Sequence, residues 1–291
     1  MPILIQVILG GLALGGAYCL LAYGFVLCWR VAKVLNLGQV SSGVFGAFIC
    51  FWLWGFGVPL YVSFICGVGV AGMLGLITER LIINPLRRSK IIAWMIGGLG
   101  VDILLRESLT HWWTSSFHRF PSLLGAERSV SIGGATTSND RLLLIVSVMV
   151  IVLVIETISD HTMWGKKVRA TAHDEVMAGL MSINTTYIVM TIFTLSAALS
   201  AISVMLMVPF TGLSSVLGFE LTIKGFVVAI IGGLDSRRGC IVAALIVGML
   251  EAIGALIAPA GYRDVFTFGT LALVLISKPQ GLFGRLMLRE V

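Results

Sequence analysis

Charge is the property that this sequence has least of. Only 12% of its 291 residues are Asp, Glu, Lys or Arg, about half of the roughly 25% found in an average soluble chain. Hydrophobic residues make up 58%, and the mean hydropathy is +1.02. A soluble domain with so little charge would not stay dispersed. The composition therefore excludes a soluble globular protein and indicates an integral membrane protein.

Several patterns that carry chemistry are also missing. The five cysteines form no C-x-x-C, and there is no H-E-x-x-H, G-x-S-x-G or G-x-x-x-x-G-K-[ST]. We therefore predict no disulfide framework, no metal site, no catalytic residue and no cofactor in this chain. The net charge of +6 comes from short basic clusters between apolar runs, which argues against a nucleic-acid-binding protein. The first residues lack the basic region of a cleavable signal peptide.

What the sequence has instead is a series of apolar runs separated by charges and prolines. A helix needs about 20 apolar residues to cross a bilayer, so the chain has room for roughly eight to ten spans. Nine are predicted, at about 3–29, 37–56, 58–77, 91–109, 142–158, 186–208, 221–234, 240–257 and 265–276. The second contains Gly38, Gly43 and Gly46 and the seventh is short, so at least one helix is expected to be broken or short. We predict an all-α polytopic membrane protein with a single transmembrane domain over residues 1–291.

The positions of Lys and Arg orient these spans. Basic clusters occur at 87–90, 166–169 and 237–238, and Lys278 follows the last span. The spans between them put all four on one side of the membrane, which the positive-inside rule identifies as cytoplasmic. We therefore predict a cytoplasmic loop at 160–184, an extracytoplasmic loop at 110–140 and an N-terminus on the outside.

The cytoplasmic loop is long for a connector. Ala170, Asp174, Ala178 and Met181 recur every three or four residues, a spacing that predicts one short helix along the membrane surface. Its small residues would form a smooth face. Two interpretations remain open: this face docks a partner protein, or the helix is a solvated interfacial helix without a partner.

Ionisable residues inside spans are costly and are functional candidates by default. Asp102 and Arg106 are four residues apart in the fourth span, so we predict a structural ion pair on one helix face near the outer interface. Glu251 lies near the middle of the eighth span, where a buried, protonated carboxyl facing other helices is expected. A proton-carrying role for Glu251 is the alternative.

Polar residues also flank Gly38 in the second span: Asn36, Gln39, Ser41 and Ser42. A helix broken at this point would expose backbone dipoles to a ligand, which makes these four residues candidates for a substrate pathway. Hydrogen bonding between helices is the alternative explanation.

Motifs along nearly the whole chain occur in the order known from one family. Segment 165–184 reads G-x-x-x-R-A-x-A-x-D-x-x-x-A-x-x-x-x-I-N. Further matches are N-L-G-Q at 36–39, G-A-F at 46–48, K-G-F at 224–226, G-G-L-x-S at 232–236 followed by Gly239, G-x-x-E at 248–251, Y-R-D at 262–264 and K-P-Q-G-L-F-G-R at 278–285. These motifs resemble the branched-chain amino-acid permeases of ATP-binding-cassette (ABC) importers, the LivH type.

The resemblance implies a multi-pass permease subunit of an ABC importer in the bacterial cytoplasmic (inner) membrane. The implied partners are a second related permease, two ABC ATPases that bind ATP and Mg²⁺, a periplasmic substrate-binding protein and membrane lipid. The implied substrates are branched-chain or other hydrophobic amino acids, or small polar solutes such as amides and urea. The residues implied in docking the ATPase are Arg169, Ala170, Asp174, Glu175, Ala178 and Ile183.

Some residues depart from the pattern of the similar family. Ser182 stands where Gly is usual at the end of the coupling helix, and Val40 and Ser41 stand where a Gly and an acidic residue are common. Asp235 replaces a Gly, and Arg residues at 237–238 replace small or apolar ones.

Two other functions fit a polytopic chain. One is an ion-coupled secondary transporter with Asp102 or Glu251 as its coupling carboxylate, which would not need the long 165–184 loop. The other is a non-transporting membrane scaffold, which would not need polar residues in the middle of its spans.

Overall fold

The computed structural model describes residues 2–86, 91–113, 116–124, 129–132, 135–257 and 262–284. Most of them are helical. The α-helices are α1 Pro2–Ala32, α2 Gln39–Gly55, α3 Leu60–Thr78, α4 Asn84–Leu86, α5 Ile91–Trp113, α6 Asn139–His161, α7 Met163–His173, α8 Glu175–Leu180, α9 Thr185–Thr211, α10 Leu217–Gly232, α11 Arg237–Ile257 and α12 Arg263–Ser277. A π-helical turn, Glu79–Ile83, joins α3 to α4, and the antiparallel strands β1 Ser129–Ile132 and β2 Ala135–Ser138 form a hairpin.

Each of the nine predicted spans corresponds to one α-helix. α1, α3 with its π-helical extension, α6, α9 and α11 are long and apolar enough to cross a membrane. α2, α10 and α12 have 17, 16 and 15 residues. At 1.5 Å per residue they are roughly 22–26 Å long, shorter than the hydrocarbon core of about 30 Å. The predicted all-α polytopic fold is confirmed, including its short helices.

α1 is the central helix of the bundle. It packs against α6, α9, α10 and α11, and its residues from 17 to 28 are all buried, as expected for a helix that is apolar on every side. α1 and α11 meet at a glycine: a Cβ at Gly15 would lie 2.9 Å from the carbonyl oxygen of Ala244. The small-residue face of α1 therefore lets the two backbones touch.

Basic residues gather at one end of the bundle. Arg30 and Lys33 at the end of α1, Arg169 on α7, and Arg237 and Arg238 at the start of α11 line one cavity of about 570 Å³. We call this the basic end. The gathering agrees with the prediction that the basic clusters share one side of the membrane.

The opposite end carries the described parts of segment 110–140. His118 and Leu213, which follows α9, exchange backbone hydrogen bonds of 2.9 and 3.0 Å, and the ring of Phe51 on α2 packs against His118. The predicted basic cluster at 87–90 lies outside the described residues. That the basic end is cytoplasmic and segment 110–140 extracytoplasmic stays a prediction.

Candidate functional site: a buried junction of two helix starts

The segment between α1 and α2 turns back into the bundle. After α1 ends, the exposed Lys33 adopts a φ of 54°, a left-handed conformation that is costly for a residue with a Cβ. Residues 34–38 are buried. The Gln39 side-chain nitrogen then donates a 3.1 Å hydrogen bond to the carbonyl oxygen of Leu21, about three turns, or roughly 16 Å, before the end of α1. α2 therefore begins deep inside the bundle.

The first turn of α2 packs against the middle of α5. A Cβ at Gly38 would lie 2.7 Å from Cγ1 of Val101 and 3.3 Å from the carbonyl oxygen of Gly98, so a larger residue would force the helices apart. Ser41, in the same turn, donates a short hydrogen bond to Oδ1 of Asp102. Asp102 lies halfway along α5 and is 1% exposed.

α10 begins at the same place. Its first turn contains Gly218, where a Cβ would lie 2.7 Å from the hydroxyl oxygen of Ser41. α2 runs from here away from the basic end, and α10 runs towards it. Neither helix start is capped by a side chain. The positive ends of two helix dipoles therefore point towards the region of Asp102, and they help to stabilise this carboxylate, which has no ion pair to any described residue.

The predicted ion pair between Asp102 and Arg106 is wrong. Nε of Arg106 lies 3.7 Å from Oε1 of Glu107, and its guanidinium carbon lies 5.6 Å from the centre of the Phe219 ring. The spacing of four residues permits the pair, but the Ser41 hydroxyl at the start of α2 is the donor that Asp102 binds.

Several buried polar atoms in this region have no hydrogen-bond partner among the described residues. They are both amide atoms of Asn36, Oε1 of Gln39 and Oδ2 of Asp102. Leaving such an atom unsatisfied costs about 1–3 kcal/mol, so a cluster of them marks a place where a polar ligand can complete the hydrogen bonds. Ser42 is already satisfied, because its hydroxyl donates a 2.9 Å bond to the carbonyl oxygen of Gly38.

We call the group formed by Asn36, Gln39, Ser41, Asp102 and Gly218 the junction. The structure brings together three of the four predicted pathway residues with Asp102, which the sequence had assigned to a separate ion pair. It adds α10, which sequence reasoning missed. The sequence does indicate this position of α10 through the length of the seventh apolar run, because a run too short to cross the bilayer has to begin or end inside it.

A second buried polar cluster surrounds Lys224, further along α10. Its ammonium lies 3.0 Å from the carboxylate of Glu251, 3.0 Å from that of Glu220 and 3.1 Å from that of Asp264. The Tyr18 hydroxyl donates a 2.8 Å hydrogen bond to Glu251. Lys224 and Glu251 are buried, whereas Glu220 and Asp264 are more than half exposed. One ammonium thus links α10, α11 and α12, and α1 joins through Tyr18.

Sequence reasoning placed Glu251 correctly in a buried position between helices, but it expected a protonated carboxyl. The structure gives Glu251 a cation instead. Lys224 was noticed only as part of a family motif, although a lysine inside an apolar run is itself a signal. None of the acidic groups in the described part of the chain joins a group of three or more placed to hold a metal ion.

Segment 160–184 forms two helices where one was predicted. α7 ends at His173, and Asp174 caps the start of α8, where its Oδ1 accepts hydrogen bonds of 2.9 and 3.0 Å from the N–H groups of Val176 and Met177. This cap satisfies two donors that the new helix leaves free. Ser182 follows α8 with a φ of 61°, a conformation that glycine adopts without strain.

The predicted docking residues do not share one exposed face. Arg169 donates a short hydrogen bond to the carbonyl oxygen of Ser159 and lies 3.6 Å from Asp160, so it holds α7 against α6. Ala178 is 4% exposed and is covered by this chain itself. Of the other predicted residues, Ala170 and Ile183 are half-buried, and Asp174 and Glu175 are exposed.

The exposed side of α8 is apolar instead. Val176, Met177, Leu180 and Met181 are between 62% and 80% exposed, at the basic end of the bundle. Large exposed apolar patches mark interaction surfaces. Sequence reasoning missed this face because it looked for small residues rather than for the large ones between them.

Short helices that begin inside the bundle beside unpaired polar atoms are typical of membrane transport proteins. The family described as the permease component of the branched-chain amino acid transport system matches residues 7–275. The chain belongs to this family and is a multi-pass protein of the bacterial inner membrane.

Relatives match over nearly their whole length. The chain is 28% identical to the high-affinity branched-chain amino acid transport permease BraD of Pseudomonas aeruginosa, over 97% of this chain and 96% of that protein. It is 27% identical to the corresponding permease LivH of Escherichia coli, with the same coverage. Among solved structures, an inward-facing metal-chelate-type ABC transporter aligns with a TM-score of 0.49 and 18% identity, over 94% of this chain and 84% of that one.

Proposed function

We propose that this chain is the transmembrane permease subunit of an ABC importer and forms the pathway for branched-chain or other hydrophobic amino acids, or for related amides and urea. It catalyses no reaction, because ATP and Mg²⁺ bind to two partner ATPases. A second related permease completes the pathway, and a periplasmic binding protein delivers the solute. Its relatives BraD and LivH, which are high-affinity branched-chain amino acid transport permeases, support this proposal, and the junction is the observation in the structure that carries it.

The junction suits the two charges of an amino acid. A carboxylate is stabilised at the positive ends of helix dipoles, where free N–H groups act as donors, and the Asn36 amide adds a further donor. An ammonium needs an acceptor, which Oδ2 of Asp102 supplies. The surrounding side chains of Val40 and Val101 are apolar and buried, which favours a hydrophobic side chain on the solute.

Transport requires the junction to open, because its residues are buried in this conformation. Movement of α2 or α10 relative to α5 would expose Asp102 to one side of the membrane and then to the other, which is alternating access. α8 offers the surface through which an ATPase would drive this movement, since its apolar side is exposed at the basic end.

Replacing Asp102 tests the proposal. Asp102→Asn keeps the size of the side chain and the hydrogen bond from Ser41 but removes the negative charge. A hydrogen bond to a charged group is worth about 1.5–3 kcal/mol, so leucine uptake by the whole complex in ATP-loaded proteoliposomes should fall about 10- to 150-fold. Glu107→Gln on the same helix is the matched control, because its side chain is 65% exposed, and its uptake should stay within twofold of wild type.

Uptake by Asp102→Asn equal to that of wild type, with the complex assembled, would contradict the proposal.

A second experiment separates the substrate classes. Unlabelled leucine and unlabelled leucinamide are compared as inhibitors of the uptake of labelled leucine. Only leucine presents a carboxylate to the helix starts, so it should inhibit uptake far more strongly than leucinamide. Equal inhibition by both would assign the junction to amides rather than to amino acids.

A further inference from the structure

A groove runs along α1 between α6 and α11. Its volume is about 580 Å³, and it is lined by Leu12 and Cys19 of α1, Val148 and Val152 of α6, and Ile241 and Leu245 of α11. The lining is apolar apart from Glu156 at one end. We call it the α6–α11 groove.

The groove leads into the basic cavity. Glu156 lines the groove and lies 3.2 Å from the guanidinium of Arg237, which lines the cavity of about 570 Å³ at the basic end. The two spaces are therefore adjacent, one apolar and one cationic. Along α6 the groove extends from Ile145 to Glu156, about three turns or roughly 17 Å, which matches the half-thickness of a hydrocarbon core of about 30 Å.

The cavity holds more positive than negative charge. Lys33 lies 3.4 Å from Asp235, Arg169 and Arg237 lie 3.6 and 3.2 Å from Asp160, and Arg237 also lies 3.2 Å from Glu156. Of the five Arg and Lys residues that line the cavity, two therefore have no ion-pair partner among the described residues.

The two cations left over are Arg30 and Arg238. Neither forms an ion pair or a side-chain hydrogen bond with any residue that the structure describes. Arg30 is half-buried and lines the cavity, where its charge is partly removed from water, and Arg238 lies at a helix start, where a cation is unfavourable. An anion in the cavity would relieve both costs.

We propose that an anionic phospholipid of the leaflet at the basic end binds here, with its phosphate in the cavity beside Arg30 and Arg238 and one acyl chain in the α6–α11 groove. A soluble anion would leave the groove empty. A soluble protein would reach the cavity but not the groove, which lies within the span of α6. A ligand with a charged head and a hydrocarbon tail fits both.

The test measures retention of single lipids by the purified transport complex in detergent, using native mass spectrometry. The complex is stripped of lipid and then titrated with phosphatidylglycerol or phosphatidylcholine. Phosphatidylglycerol should bind at one site more tightly than phosphatidylcholine. The double variant Arg30→Gln/Arg238→Gln should bind phosphatidylglycerol about 30-fold more weakly. This factor corresponds to about 2 kcal/mol of binding free energy, the attraction that two basic residues contribute near an anionic surface.

Two further variants distinguish binding of the lipid headgroup from binding of its acyl chain. Lys166→Gln/Lys167→Gln removes the same charge from the same end but outside the cavity, and it should bind phosphatidylglycerol as wild type does. Leu245→Trp fills the groove and leaves the cations in place, so it should weaken phosphatidylglycerol binding while the complex stays intact.

Three results would overturn the proposal. Equal retention of the two lipids, or no loss in the Arg30→Gln/Arg238→Gln variant, would exclude a specific headgroup site. Binding of inorganic phosphate as tightly as phosphatidylglycerol would identify a soluble-anion site. The third result concerns subunit assembly. If lipid binding were unchanged but Arg30→Gln/Arg238→Gln lost the ATPases, or Leu245→Trp lost the second permease, the surface would be assigned to a protein partner.

Discussion

The cluster around Lys224 makes an asymmetric prediction about stability. Lys224 contacts three carboxylates, and two of them, Glu220 and Asp264, are more than half exposed. Among the described residues, Glu251 has only the Lys224 ammonium and the Tyr18 hydroxyl as partners, and it is 4% exposed. Removing the lysine therefore strands a buried carboxylate, whereas removing the charge of Glu251 leaves the lysine with two anions.

The magnitudes follow from this difference. Lys224→Met leaves an uncompensated buried charge and should cost about 3–5 kcal/mol in free energy of unfolding. In Glu251→Gln the amide oxygen can still accept from the ammonium, and the amide NH2 can donate to the Tyr18 hydroxyl oxygen, so the change should cost only about 1 kcal/mol. The double variant Lys224→Met/Glu251→Leu removes both charges and should recover about half or more of the loss seen in Lys224→Met.

Thermal unfolding of the purified complex in detergent, followed by intrinsic fluorescence, measures these differences. Lys224→Met should lower Tm by an amount on the order of 10 °C, and the matched control Lys167→Met, an exposed lysine at the basic end, by no more than about 1–2 °C. If Glu251→Gln were as destabilising as Lys224→Met, or if the double variant were worse than either single one, the assignment of charges in this cluster would be wrong.

Three shorter predictions test other parts of the chain. Ser182→Gly removes the strain of a left-handed conformation and should leave the free energy of unfolding unchanged or raise it by up to about 1 kcal/mol in the same melting assay. Ser108→Gly inside α5 should instead lower it by roughly 0.5 kcal/mol. Leu180→Asp, at a residue 77% exposed, should leave membrane insertion intact while ATPase co-purification and uptake fall together; full co-purification would exclude α8 as the dock. In a cysteine-free background, an impermeant thiol reagent applied outside should label cysteine at position 116 but not at 173, and the reverse pattern would invert the topology.

The architecture was predictable because a bilayer imposes simple requirements on a sequence. Length and hydropathy located nine helices, five of which are long and apolar enough to cross a membrane, and the distribution of Lys and Arg predicted that basic clusters share one end. The polar residues near Gly38 were also recognisable, since polar groups inside an apolar run need a reason.

The contacts between distant helices were not predictable in the same way. Residues 34–38 read as a short connection between two spans, and their return into the bundle through the left-handed Lys33 has no signal in the sequence. The partners of Asp102 and Glu251 come from helices far away in sequence, so spacing within one helix suggested the wrong partner for the first and none for the second. Ala178 was assigned to an exposed face because helical periodicity gives the residues that share a face but not the side that is covered.

Glu251 also separates the two ways in which this chain could be energised. In an ABC importer the driving force is ATP hydrolysed on partner chains, so no carboxylate in this chain has to carry a proton. Glu251 is held by Lys224 at 3.0 Å and by the Tyr18 hydroxyl at 2.8 Å, and glutamine can replace both contacts without being able to release a proton. Glu251→Gln should therefore retain at least about a fifth of wild-type uptake in ATP-loaded proteoliposomes that contain all subunits, because a loss below about 1 kcal/mol is less than about a fivefold reduction. An uncoupler should change this uptake little. In a secondary transporter the same variant would lose ion-driven uptake altogether. Uptake by the purified chain alone under an ion gradient, abolished by Glu251→Gln, would show that the carboxylate is a coupling group and that the importer proposal is wrong.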